Sequence, residues 1–214
     1  NIGDKLFISK MIRNITLLIV ALYLHINIAQ PQIANNWYLI TRGTKTKVNI
    51  ICKNFNLYDS TITHLGLAKE ATNGEMIIYN INPVKDCNAF TIDSLQSFLS
   101  PPDIFCYSLW QLKLSPKSKR GLDKFIQGYI GKYVTFDFDF NLENGSENLY
   151  CSEFVWLALS AIGYNINVTH KDLSNDNLKS FLKRDDIYYI PADFFEKLPF
   201  VQMIHKRFLN SKIF

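Results

Sequence analysis

Leu149-Tyr150-Cys151-Ser152-Glu153-Phe154-Val155-Trp156 is the stretch on which the reading of this chain turns. It follows a polar loop, Asn144-Gly145-Ser146, and opens a segment in which Phe154, Val155, Ala158 and Ile162 recur at helical spacing before a Gly163 stop. Cys151 therefore falls in the first turn of a helix. The positive end of the helix dipole favours a thiolate there, and the unpaired N–H groups of that turn suit a developing oxyanion. Position alone does not make a nucleophile, because free cysteines are mostly buried and inert.

A thiol nucleophile needs a base. Ser60 to Ala68 alternates as a strand, with Ile62, His64, Gly66 and Ala68 on one face and Thr61, Thr63, Leu65 and Leu67 on the other. His64 supplies an imidazole in mid-strand. Gly66, two positions along on the same face, leaves room for another group such as a helix N-terminus to approach. Asn73-Gly74 is a hairpin signal, and Glu75 to Ile81 is the return strand. The orienting partner of the base is expected on that strand, where Asn80 shares a face with Met76 and Ile78. Glu70 and Glu75 are alternatives that flank the turn. His170 and His205 lie in charged surroundings that suggest solvated roles.

The remaining segments fill in one α+β domain. Asn36 to Thr41 and Lys47 to Cys52 read as strands joined by an Arg42-Gly43-Thr44 turn. Thr91 to Leu99 reads as a short helix before Pro101-Pro102, and Ile104 to Leu114 as a strand region. Ser115-Pro116 opens a capped helix whose stripe is Leu122, Phe125, Ile126, Tyr129 and Ile130. Tyr133 to Phe140 alternates strictly, which predicts a strand with Asp137 and Asp139 on one face, commonly a solvated outer face with the phenylalanines inward and alternatively a place for a cation or a substrate amine. Ile190-Pro191-Ala192-Asp193-Phe194-Phe195 begins a turn or short helix.

At 214 residues, 48% hydrophobic and 20% charged, the chain can bury a core without disulfide staples. Its formal net charge of +4 is scattered rather than striped, which argues against a nucleic-acid partner. Lys5, Lys10 and Arg13 precede an apolar run from Ile15 to Leu24 that fades toward Ala29. That layout reads residues 1–29 as a secretory signal, with an uncleaved anchor or a buried helix as alternatives and Met11 as a candidate initiator. The run falls short of the roughly 20 residues a spanning helix needs. Export would place the protein in a periplasmic or extracellular compartment, with the membrane met only through this segment. The four cysteines (Cys52, Cys87, Cys106 and Cys151) show no Cys-x-x-Cys spacing, and no His pair has metal-ligand spacing, so neither metal nor cofactor is expected. A nucleophilic Cys151 leaves at most one disulfide among the other three.

Thr63-His64-Leu65-Gly66-Leu67, Ile78-Tyr79-Asn80-Ile81, Phe136 to Phe140, Leu149 to Val155 and Ile190 to Phe194, taken together in this order, resemble the YiiX/YaeF-like family. Its members are circularly permuted relatives of the NlpC-type papain-fold hydrolases, in which the histidine strand precedes the cysteine helix. The resemblance spans roughly residues 36–208 in segments. It implies an antiparallel sheet or half-barrel packed against helices, with Cys151 as nucleophile, His64 as general base and Asn80 as orienter. Tyr150, beside the nucleophile, is a candidate substrate-binding residue. The implied substrates are peptides, peptidoglycan fragments or acyl amides, cleaved through an acyl-enzyme. Two features depart from the family pattern: Asn36 to Ile40 stands where a Gly-Asp-led strand is usual, and Asn80 stands where an acid or histidine is common. The second departure keeps open the alternative of a catalytically silent domain that holds a cell-wall peptide or acyl ligand in the same cleft.

Overall fold

A computed structural model describes residues 36–45, 54–174 and 176–209. The 1–29 segment, the Lys47 to Cys52 strand and Cys52 itself lie outside the described residues.

Six antiparallel strands form the main sheet, in the order β10-β5-β1-β2-β3-β4. These are β1 (Trp37–Thr44), β2 (His64–Glu70), β3 (Met76–Ile81), β4 (Phe90–Ser94), β5 (Ile104–Leu112) and β10 (Val201–Phe208). The β2–β3 hairpin turns at Asn73-Gly74 as expected, with Gly74 at φ +83°. Its register sets Gly66 opposite Asn80 and Ala68 opposite Ile78. Smaller pieces complete the chain: α1 (Leu95–Phe98), α2 (Pro116–Gln127), β6 (Thr135–Phe136), β7 (Asn148–Leu149), α3 (Cys151–Ala161), β8 (Thr169–Asp172), α4 (Asp176–Leu182), β9 (Asp186–Tyr189) and a 3-10 turn over Phe194–Lys197.

Each face of the sheet is covered, which is why β2 is buried on both sides. On one face Leu39, Leu65 and Leu67 pack with Leu122 and Ile126 of α2 and with Phe154, Val155 and Ala158 of α3. On the other, Ile40, Ala68 and Ile78 pack with Phe98 of α1. Burying side chains of this size contributes about 1.5–3 kcal/mol each before the cost of ordering them. The Ser115 cap forms as read, with its hydroxyl accepting from the Ser118 N–H at 3.1 Å. No helix among the described residues is long and apolar enough to cross a membrane.

The structure corrects four local expectations. Arg42-Gly43-Thr44 continues β1 instead of turning. Gly43 is required there by a close approach, since a Cβ would stand 2.2 Å from the Thr61 carbonyl oxygen and 2.7 Å from Cys106 Sγ. Thr91 to Ser94 belongs to β4, paired with β3, and only Leu95–Phe98 is helical. α2 stops at Gln127, which leaves Ile130 exposed outside the stripe. The Tyr133–Phe140 alternation yields only the two residues of β6. Asp137 turns inward and accepts N–H bonds from Asp139 at 2.8 Å and Asn141 at 2.6 Å, while Phe138 is exposed. A short carboxylate that can bind its own backbone competes with the sheet ladder, and here it wins.

Candidate active site

Cys151 is the first residue of α3, and its two neighbours hold that helix end in place. The Tyr150 hydroxyl accepts the Ile190 N–H at 3.0 Å, and Ser152 Oγ donates to the Ile190 carbonyl at 2.7 Å. The chain on either side of the thiol is thereby fastened to one residue. The thiol itself is half-buried. The Leu65 N–H, near the start of β2 and one residue after His64, hydrogen-bonds it.

His64 and Asn80 meet as the strand reading expected, with His64 Nε2 2.9 Å from Asn80 Oδ1. Both side chains are buried. The glycine between them in the pattern serves a different purpose from the one expected. A Cβ on Gly66 would lie 2.8 Å from both Asn80 Cβ and the Tyr79 carbonyl oxygen. The room it leaves is thus filled by Asn80 and its own strand rather than by a helix N-terminus. The imidazole packs on Phe98 with ring centroids 5.7 Å apart. Arg42, opposite His64 across the β1–β2 ladder, lies over the same Phe98 ring at 4.4 Å and donates to the Phe98 carbonyl.

Electrostatics overturn one expectation. Burial pushes the Cys151 thiol up to about 11, against the Leu65 and Ser152 N–H groups and the Arg42 charge, all of which favour the thiolate. Burial also pushes His64 down to about 3, helped by the Arg42 charge and opposed by Asn80. The resting groups are therefore a neutral thiol and a neutral imidazole, not a thiolate prepared by the helix dipole. Desolvation wins because a dipole worth about a kcal/mol does not offset removal of a charge from water.

Behind Asn80 stands a polar network that the sequence reading missed. Asn80 Nδ2 donates to Thr91 Oγ1 at 3.0 Å and to Asp93 Oδ2 at 2.9 Å. The alternation of Phe90, Thr91, Ile92 and Asp93 was the available signal, hidden by reading that segment as helix. Glu153, two residues beyond the thiol, is buried and reaches back to the Tyr150 N–H at 3.4 Å. Burial, with Asp137 adding to it, pushes its carboxyl up to about 8. Asp193 is fully buried and accepts N–H bonds from Leu57 at 3.0 Å, from Asp59 at 2.7 Å and from Tyr58. It thereby fixes the loop that carries Phe55. His205, in β10, is not simply solvated: its ring stands edge-on to Tyr107 of β5.

A cavity of about 40 Å³ adjoins Cys151 and is walled by Phe55, Phe140, Tyr150, Ile187, Tyr189 and Ala192 among others. Tyr150 thus contributes its ring to the wall, while its hydroxyl is committed to Ile190. Cys87, Cys106 and Cys151 are free thiols.

A half-buried cysteine thus stands at a helix N-terminus in an α+β fold, against the strand that carries the buried His64–Asn80 pair. No family model and no curated protein matches the sequence. Among solved structures, the chain is similar to the metalloprotein yiiX from Escherichia coli O157:H7, with a TM-score of 0.61 and 16% identity over 82% of this chain and 98% of that one. The chain has the YiiX-like fold. Among the described residues no group of three or more His, Cys, Asp or Glu side chains fits a metal ion.

Proposed function

We propose that this protein is an exported thiol amidohydrolase of permuted papain-like type, cleaving an amide or ester bond through an acyl-enzyme. His64 takes the Cys151 proton as sulfur attacks the carbonyl carbon, and returns it to the departing amine or alcohol. Water, deprotonated by the same imidazole, then hydrolyses the thioester and regenerates the thiol. The N–H groups of the first turn of α3 face the oxyanion. The observation that carries the reading is the 2.9 Å His64–Asn80 bond beside the strand position whose N–H touches the Cys151 thiol. A neutral pair suits general-base transfer during attack rather than a standing thiolate. The apolar wall next to the thiol favours an acyl or peptide substrate with a small apolar group on the acyl side. A cavity of about 40 Å³ admits only a few heavy atoms.

The raised thiol also gives substance to a second reading, a silent domain that binds a cell-wall peptide or acyl ligand without turnover. Intact-mass analysis after exposure to a short-chain activated acyl ester separates the two. The hydrolase reading expects one acyl adduct on Cys151, none on Cys151→Ala, and acylation slowed about 10²–10⁴-fold in His64→Ala. Equal adducts on the wild type and Cys151→Ala would overturn it. Ligand retention without any adduct would favour the silent domain.

A further inference from the structure

An asparagine can face a histidine with either end of its amide, and only one end leaves the histidine fit to act as a base here. We propose that Asp93, on the edge strand β4, is a positioning residue that fixes the Asn80 amide and through it the tautomer of His64. This inference rests on the reading of His64 as the base for Cys151.

Hydrogen-bond polarity sets the direction of the Asn80 amide. Asp93 as a carboxylate can only accept. It takes the Asn80 amide N–H at 2.9 Å and the Thr91 hydroxyl proton at 2.9 Å on the same oxygen, Oδ2. Its other oxygen takes the Ser97 hydroxyl at 3.0 Å, which holds the carboxylate from the far side. With its proton given to Asp93, Thr91 Oγ1 also accepts, from Asn80 Nδ2 at 3.0 Å and from Asn82 Nδ2 at 2.8 Å. Asn82 is oriented in turn by Arg42, which can only donate and reaches Asn82 Oδ1 at 3.3 Å. The chain from Arg42 through Asn82 and Thr91 to Asp93 thus has a donor-only end and an acceptor-only end, so every bond between them has one direction.

Two acceptors therefore face Asn80 from the β4 side, and its NH₂ must point at them. The Asn80 carbonyl oxygen is left for His64, where it accepts from Nε2 at 2.9 Å. An oxygen acceptor at that place requires the proton on Nε2, which leaves Nδ1 with a bare lone pair able to take a thiol proton. A reversed amide would set its oxygen against the carboxylate, losing both bonds to β4, and would force the proton onto Nδ1.

The test reads the tautomer directly, in the full chain labelled with ¹⁵N-histidine. Long-range ¹H–¹⁵N correlation, with His64 assigned through His64→Gln, is expected to show Nε2 protonated and Nδ1 bare from pH 5 to 8. The wild-type spectrum alone can overturn the proposal, which fails if Nδ1 carries the proton. In Asp93→Asn, where the acceptor-only side chain becomes one that can also donate, we expect a mixture of tautomers. Acylation of Cys151 should fall at least about tenfold through its rate and not through ester binding. The exchanged pair Asn80→Asp with Asp93→Asn returns an acceptor-only group to the His64 side and should restore the Nε2–H form. An unchanged tautomer in Asp93→Asn overturns the proposal. Correct tautomers in all variants, with Cys151 never acylated, would sink the hydrolase reading while leaving the role of Asp93 intact.

Discussion

Replacing Glu153 by glutamine should make the fold markedly less sensitive to rising pH. Glu153 is 2% exposed and sits one half-turn beyond the candidate nucleophile. Burial and the neighbouring Asp137 raise its midpoint from 4.5 to about 8, with only the Tyr150 N–H opposing. Below pH 4.5 the folded and unfolded chains both keep the proton. Between pH 4.5 and 8 the unfolded chain releases it while the folded chain retains it, so stability falls as pH rises. About 3.5 pH units separate the two midpoints, which at 1.36 kcal/mol each amounts to on the order of 5 kcal/mol by pH 8 to 9. Glutamine keeps the acceptor for Tyr150 and nearly the same volume, but has nothing to ionise. Urea denaturation of both proteins, followed by tryptophan fluorescence at half-unit steps from pH 4 to 9, measures the difference. Other titrating groups cancel in that difference, including His64, whose depressed midpoint of about 3 acts with the opposite sign between pH 6.5 and 3. The variant should gain several kcal/mol over the wild type between pH 5 and 8. A difference that stays flat within about 0.5 kcal/mol, a usual margin for such comparisons, would refute the placement of Glu153 as a buried neutral acid.

Two further substitutions probe the frame of the site. In Gly66→Ala the new Cβ meets the Asn80 Cβ and the Tyr79 carbonyl at 2.8 Å, neither of which can yield without moving β3. The expected cost is about 1–3 kcal/mol, with weakened His64–Asn80 bonding read as slower acylation of Cys151; a melting temperature and acylation rate equal to wild type would contradict it. Asp193→Ala leaves the Leu57, Tyr58 and Asp59 N–H groups without their acceptor. That should cost about 1–3 kcal/mol and raise amide hydrogen exchange selectively at those three residues. Uniform exchange across the chain would argue against a local anchoring role.

Much of the site was legible because it depends on short-range pattern. The Asn73-Gly74 turn brings β3 back beside β2, and strand alternation then puts His64 and Asn80 on one face. Cys151 at the head of α3 follows from a polar loop giving way to a helical stripe with a glycine stop. The resemblance to YiiX-like proteins added the order of these parts, and the chain has the YiiX-like fold. Where the reading failed, a distant partner or a competing local bond decided the outcome. Thr91 to Ser94 is strand because β3 offers it a ladder. Gly43 lies near the end of β1 rather than in a turn, and the Thr61 backbone crosses close over it. Asp137 turns inward because its carboxylate can take the N–H groups of the residues just after it.

Local pattern was enough to set out the parts: a thiol at a helix start, an imidazole on a strand and an amide on the return strand. Their protonation and direction come from what the folded chain packs around them. Burial in the folded chain favours a neutral Cys151 thiol and a neutral His64 imidazole over the thiolate that the helix dipole alone would favour. The bonds that Asn80 makes behind His64 go to side chains 11 and 13 residues further on, through a pairing that no local pattern states. Burial and network polarity are properties of the surroundings, and the surroundings exist only once the chain has folded.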